Sequence, residues 1–149
     1  MNGETVGRPM EILLVEDNLG DAGFTMKALK EGNVQCRVSL VSNGEEAMEF
    51  LRRGGIYAQV PRPDLILLDL YLPKKDGREV LREVRSDEQL THIPVVVLTA
   101  SQIHEEILRS ENLEIDAYMI KPVDLDQFIK MVRQLRRFWM AEVILPLPD

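Results

Sequence analysis

Five apolar runs of strand length recur along the chain: Ile12 to Val15, Val34 to Val41, Leu65 to Leu68, the β-branched run VVVLT ending at Thr99, and Ile115 to Ile120. Continuous aliphatic runs of this kind suit parallel strands covered on both faces. Between them the spacing changes to a helical one. Asn18 can cap a helix with Leu19, Ala22, Met26 and Leu29 on its inner face, stopped by Gly32, and Asn43-Gly44 turns into a second with Ala47, Phe50 and Leu51 inward. A third carries Val80, Leu81 and Val84. The fourth has only the weak face Ile103, Ile107 and Leu108 and is expected to be short and partly mobile. Asp124 caps the last, whose inward stripe is Leu125, Phe128, Ile129, Val132, Leu135 and Trp139. The segment from Gly54 to Pro63 reads as a loop, and Ser86 to His92 as a polar linker. Five strands alternating with five helices predict an α/β fold, a doubly wound parallel sheet with right-handed crossovers and helices on both faces.

The strand ends carry the chemistry. Glu16 and Asp17 follow the first strand, Asp69 ends the third, Thr99 the fourth, and Lys121 follows the fifth, with Pro122 next. In a parallel sheet these ends share one edge, where open α/β sheets place their sites. Three carboxylates brought together repel one another, and a hard divalent cation such as Mg²⁺ relieves them. Lys121 adds a fixed positive charge and Thr99 a hydroxyl. The set suits a phosphoryl group whose oxygens are neutralised while Asp69 attacks phosphorus. Taken singly, each residue has a plainer reading. Glu16 and Asp17 can simply favour a helix N-terminus, Asp69 can cap a turn, Thr99 can be a strand residue, Lys121 a solvated lysine and Tyr118 ordinary packing. It is the four strand ends together that favour a site. Pro73 and Gly77 are expected to shape the turn that exposes Asp69.

At 149 residues the chain fits one domain, and 45% hydrophobic with 29% charged residues is an ordinary globular composition. The net charge of −7 argues against a nucleic-acid surface. No apolar run reaches the roughly 20 residues of a membrane span, and MNGETVGRPM lacks a signal peptide's apolar region, so a cytoplasmic protein is expected. Cys36 is the one cysteine, which excludes an intrachain disulfide or a thiolate metal cluster and reads as a packed thiol.

The pieces LLVED, DLYLP with Gly77 after it, VVVLTAS and YMIKP, in this order and at these strand ends, resemble the receiver domain of two-component response regulators. The resemblance implies a flavodoxin-like strand order 2-1-3-4-5. It also implies phosphorylation of Asp69 by a histidine kinase, with Mg²⁺ held by Asp17, by Asp69, by the main-chain carbonyl of Tyr71 and, through water, by Glu16. Thr99 and Lys121 match the phosphate-sensing pair and Tyr118 the switch aromatic, and the switched surface is that of the fourth helix, fifth strand and last helix. Such a chain is a phosphoacceptor that assists its own phosphotransfer and dephosphorylation, not an enzyme acting on other substrates. The segments GGIYAQVPRP, LPKKDGREVL and FWMAEVILP are similar to the small response regulators that serve cyanobacterial phytochromes, implying a phytochrome as the kinase. Glu16 where Asp is frequent, and the bulky Tyr71, depart from the commonest pattern.

On this reading residues 1–10 are a flexible leader, 11–138 the receiver domain and 139–149 a C-terminal extension. With no output domain expected after Trp139, the output is protein binding or release. Met131, Leu135 and Phe138 line a second apolar side of the last helix, to be covered by the chain's own tail or by a second subunit, and a homodimer through this helix and its neighbours, helped by the tail, is predicted. Three rivals stand beside this reading. An aspartyl phosphohydrolase wants a second acid where Tyr71 stands, a nucleotide-binding domain wants a glycine-rich loop after the first strand, and a non-phosphorylated interaction module is expected to have lost an acid or the lysine.

Overall fold

A strand buried on both faces is apolar over most of its length, and the three central strands of this sheet show it, with Glu11, Asp69 and Thr99 as their polar members. The computed structural model describes residues 8–72 and 74–135. Its elements are β1 (Met10–Val15), α1 (Leu19–Glu31), β2 (Cys36–Val41), α2 (Gly44–Leu51), β3 (Leu65–Asp69), α3 (Gly77–Ser86), β4 (Val95–Thr99), α4 (Gln102–Arg109), β5 (Ala117–Ile120) and α5 (Leu125–Gln134). Every residue of β1, β3 and β4 is buried, whereas β2 and β5, at the two edges, are only partly covered, β5 in strict alternation. The strands pair in parallel in the order β2-β1-β3-β4-β5, the expected topology.

Alternate strand residues feed two apolar layers. Leu13, Val15, Ile66 and Leu68 pack with Ala47, Phe50 and Leu51 of α2 and Val80, Leu81 and Val84 of α3. Ile12, Leu14, Leu65 and Leu67 pack with Ala22 and Leu29 of α1 and Phe128, Met131 and Val132 of α5. The helix starts behave as their sequences dictate, with Asn18, Asn43 and Asp124 accepting from the backbone N–H three residues on. Gly77 is required by a close approach. A Cβ there would sit 2.5 Å from Leu70 Cα, because α3 begins directly against the end of β3, its amide donating to the Leu70 carbonyl at 3.0 Å.

Several expectations need correcting. Leu19 and Met26, expected on the inner face of α1, are 74% and 37% exposed; Thr25 takes a core position instead, its Oγ1 donating to the Asp21 carbonyl at 3.2 Å. Met131, expected on a dimer face, is in the core. It is 2% exposed, because α5 turns it into the apolar layer against the sheet beside Phe128 and Val132. Leu135 is half-buried against the same layer. The first strand starts at Met10, not Ile12, and Arg8 ahead of it forms two hydrogen bonds of 2.6 Å with Asp64, so residues 8–10 belong to the sheet rather than to a loose leader. Cys36 is half-buried, and burial pushes its thiol pKa up, in keeping with a packed thiol. Residues 1–7, Pro73, Phe138, Trp139 and the expected extension lie outside the described residues. Among the described residues no helix is long and apolar enough to cross a membrane.

Candidate functional site

Parallel register brings the strand ends together. Val15 pairs with Leu68, Asp69 with Leu98, and Thr99 with Ile120, so the residues just beyond β1 and β5 flank the end of β3. Glu16 is fully buried, Asp69 and Thr99 nearly so, and Asp17 is exposed. Donor oxygens of Glu16, Asp17 and Asp69 lie within 4.8 Å of one another. Three hard oxygen donors this close fit Mg²⁺ and suit no soft metal.

Lys121 neutralises the cluster. Its Nζ lies 2.7 Å from Glu16 Oε1, 2.8 Å from Asp69 Oδ2 and 3.1 Å from Asp21 Oδ2. Burial raises the Glu16 carboxyl to about 7 even though Lys121 pulls it down, with the negative charge of Asp69 adding to the rise. Burial pushes the Lys121 ammonium down, but the hydrogen bonds and charges of Asp69 and Glu16 outweigh it and hold the pKa above that of an ordinary lysine. The lysine is therefore charged and the carboxylates compete for it. A divalent cation entering beside it would satisfy the oxygens that one ammonium cannot.

Backbone contacts fix the pieces. The Tyr71 amide donates to Asp69 Oδ1 at 2.9 Å, the Asn18 amide to Glu16 Oε2 at 3.3 Å, and the Lys121 amide to the Thr99 carbonyl at 2.8 Å. The Lys121–Pro122 peptide is cis. Gln127 on α5 reaches back to the end of β5, its Oε1 accepting from the Ile120 amide at 2.9 Å and its Nε2 donating to the Ile120 carbonyl at 3.0 Å.

Glu16, Asp17, Asp69 and Lys121 are thus brought together as expected. Thr99 lies at the same edge, but its hydroxyl donates to the Ser101 carbonyl at 3.2 Å, which belongs to the residue capping α4. Tyr118 is half-buried on β5 with the Arg109 guanidinium 4.4 Å from its ring centroid, and Arg109 is itself paired with Glu105. Two contributors escaped the sequence reading. Asp21 lies in the first turn of α1, directly after the Glu16–Asp17 pair, a placement that could have announced it; Gln127 is an ordinary polar residue of a first turn and carries no such signal.

Comparison with known proteins agrees with this geometry. Residues 12–133 match the family described as response regulator receiver domain. The chain is 43% identical over 138 residues to response regulator Rcp1 of Synechocystis sp., covering 93% of this chain and 94% of that one. Among solved structures, the phosphorylated cyanobacterial phytochrome response regulator RcpA superposes with a TM-score of 0.71 at 45% identity, over 93% of this chain and 99% of that one. The Mn²⁺-bound form of Rcp1 does so with 0.69 at 42% identity, over 93% and 100%. These matches set the chain with the response regulator receivers rather than with the aspartyl phosphohydrolases. With its acids, its lysine and its strand order all in place, the chain belongs to the response regulator receiver domain family of two-component signalling and is related to the phytochrome response regulators.

Proposed function

We propose that this protein is a phosphorylation switch that takes a phosphoryl group from a histidine kinase onto Asp69, with a phytochrome as the kinase. The observation that carries the proposal is the Asp69 carboxylate, fixed by the Tyr71 amide on one oxygen and by Lys121 on the other, beside two further acids. A carboxylate oxygen of Asp69 attacks phosphorus, the N–P bond of the phosphohistidine breaks, and the imidazole leaves with the bonding pair, its freed nitrogen taking a proton from solvent. Asp17, Asp69, the Tyr71 carbonyl and, through water, Glu16 are the residues that would hold Mg²⁺, which when bound screens the phosphoryl oxygens from the carboxylates. Lys121 exchanges part of its pairing with the acids for the new oxygens. The same residues support slow return of the phosphoryl group to water.

Thr99 gives up the Ser101 carbonyl to donate to the phosphoryl group, and since Ser101 caps α4 the loss is felt at that helix. Tyr118 fills the space vacated and leaves Arg109, altering the surface of α4, β5 and α5. The exposed Ile103 and Ile107 of α4 lie on that surface. The receiver is assigned to residues 11–138, extended at its start by the strand residue Met10. Rcp1 and RcpA, the latter named as a phytochrome response regulator, support the choice of kinase.

Phosphotransfer from a panel of phosphorylated sensor kinases tests the reading. A phytochrome kinase is expected to transfer fastest, and chelation by EDTA to stop transfer. Equal transfer with and without EDTA would remove the metal from the scheme, and no transfer from any kinase would reject the switch. A homodimer remains part of the proposal, with Leu135 and Phe138 as contacts and Met131 withdrawn. Elution as a monomer at micromolar concentration, both phosphorylated and unphosphorylated, would sink it.

A further inference from the structure

The rim of the site holds a group that the phosphoryl chemistry leaves unused. Tyr71, two residues past Asp69, is anchored through its amide to Asp69 Oδ1, yet the residue is 62% exposed. A tyrosine in that position has free rotamers unless something holds the ring. The Arg78 guanidinium lies 5.8 Å from the ring centroid, and it is not free to wander. Its Nε donates to Glu111 Oε1 and its Nη2 to Glu111 Oε2, both at 2.9 Å, a two-pronged geometry that fixes the plane of the guanidinium.

The three residues come from three places. Tyr71 follows β3, Arg78 lies in the first turn of α3, and Glu111 stands just after α4. The start of α3 is itself locked to the end of β3 through Gly77, so Arg78 projects from a fixed point. Arg78 and Glu111 keep 26% and 34% of their side-chain surface exposed, and pairs that open to water contribute little to folding. A structural role alone therefore leaves the arrangement poorly explained, whereas a role at the site mouth uses each part of it.

We propose that Arg78, held by Glu111, is a positioning residue that keeps the Tyr71 ring at the rim of the site and so slows the access of water to the acyl phosphate on Asp69. The inference rests on the phosphorylation of Asp69 proposed above. In the reaction it governs, a water oxygen attacks phosphorus, the bond between phosphorus and the Asp69 oxygen breaks, and the carboxylate is regenerated while the water's proton leaves with inorganic phosphate or to solvent. Arg78 touches none of these atoms and acts through the ring.

The test is a double-mutant cycle on phosphate lifetime. Protein is labelled with a small-molecule phosphodonor in Mg²⁺, the donor is removed, and loss of acid-labile phosphate is followed. Arg78→Ala and the isosteric Glu111→Gln are each expected to shorten the half-life about twofold to fivefold, the range of a cation–ring contact converted to rate. In a Tyr71→Ala background, Arg78→Ala is expected to change nothing further. An unchanged or lengthened half-life in both single variants would overturn the proposal, and so would an equal factor in both backgrounds, since Arg78 would then act without the ring. If the wild type takes up no label, or Asp69→Asn takes up as much as wild type, phosphorylation at Asp69 itself is refuted and the inference falls with it; a labelled wild type with non-responsive variants refutes the inference alone.

Discussion

Asp69→Asn is expected to reduce phosphate incorporation from a phosphorylated kinase to background while leaving the protein folded. The amide has nearly the shape of the carboxylate and can still accept the Tyr71 N–H through its oxygen, so the turn after β3 keeps its anchor. What it lacks is an anionic oxygen able to attack phosphorus. The fold tolerates the change because the site is over-supplied with negative charge: Lys121 still has Glu16 and Asp21 as partners once Asp69 is neutral, and one repulsion among the acids disappears. The measurement is radiolabel transfer in Mg²⁺ alongside a thermal melt. Incorporation at the wild-type rate with a wild-type melt would reject Asp69 as acceptor and would send the search to Glu16 or Asp17. A neighbouring change reads differently. Asp17→Asn removes a metal donor and keeps the nucleophile, so its defect is expected to shrink as Mg²⁺ is raised, whereas that of Asp69→Asn is not.

What could be read in the sequence follows from where a residue's environment is set. β1, β3 and β4 are covered on both faces, so their burial appears as unbroken apolar runs, and the acids that end the first two of these runs stand out against them. The site's main members were legible for that reason: strand register alone carries Glu16, Asp69 and Lys121 to one edge. Helix orientation was less legible. In α1 the choice between Thr25 and Met26 for the core depends on a rotation of one position that the pattern leaves open, and Thr25 can go inward because its hydroxyl is satisfied by the preceding turn. In α5 an apolar arc wider than one stripe looked like a surface awaiting a partner, yet Met131 lies within the sheet's own layer. Side-chain direction was not legible at all. The sequence places Thr99 at the edge but not its bond to Ser101, and it gives no hint that Arg78 finds Glu111, 33 positions away.

The far end of the sheet holds a second feature of this kind, and Arg85→Met is expected to cost about 3–5 kcal/mol of stability. Arg85 follows Val84 on α3, where a basic residue would ordinarily be read as solvated. Instead its side chain is 7% exposed and that of Asp116 8%. Its Nη2 lies 2.5 Å from Asp116 Oδ2, while Nη1 donates to the carbonyls of Thr91 and Ile93 and Nε to that of Glu114. Asp116 Oδ2 also accepts from the Val95 amide at 2.7 Å, so the pair ties the starts of β4 and β5 together. Methionine fills much of the volume but donates nothing, leaving a nearly buried carboxylate and three carbonyls short of donors. A loss of this size corresponds to a fall in melting temperature of about 10 °C for a domain of this length, while Arg82→Met, on the exposed side of the same helix, is expected to stay within about 0.5 kcal/mol. Because the pair sits where β4 and β5 begin and Asp69 where β3 ends, the Arg85 variant is expected to accept phosphate normally below its melting temperature. A loss under about 1 kcal/mol in urea titration would mean that water reaches these acceptors, and that the buried fan of hydrogen bonds does not hold this end of the sheet.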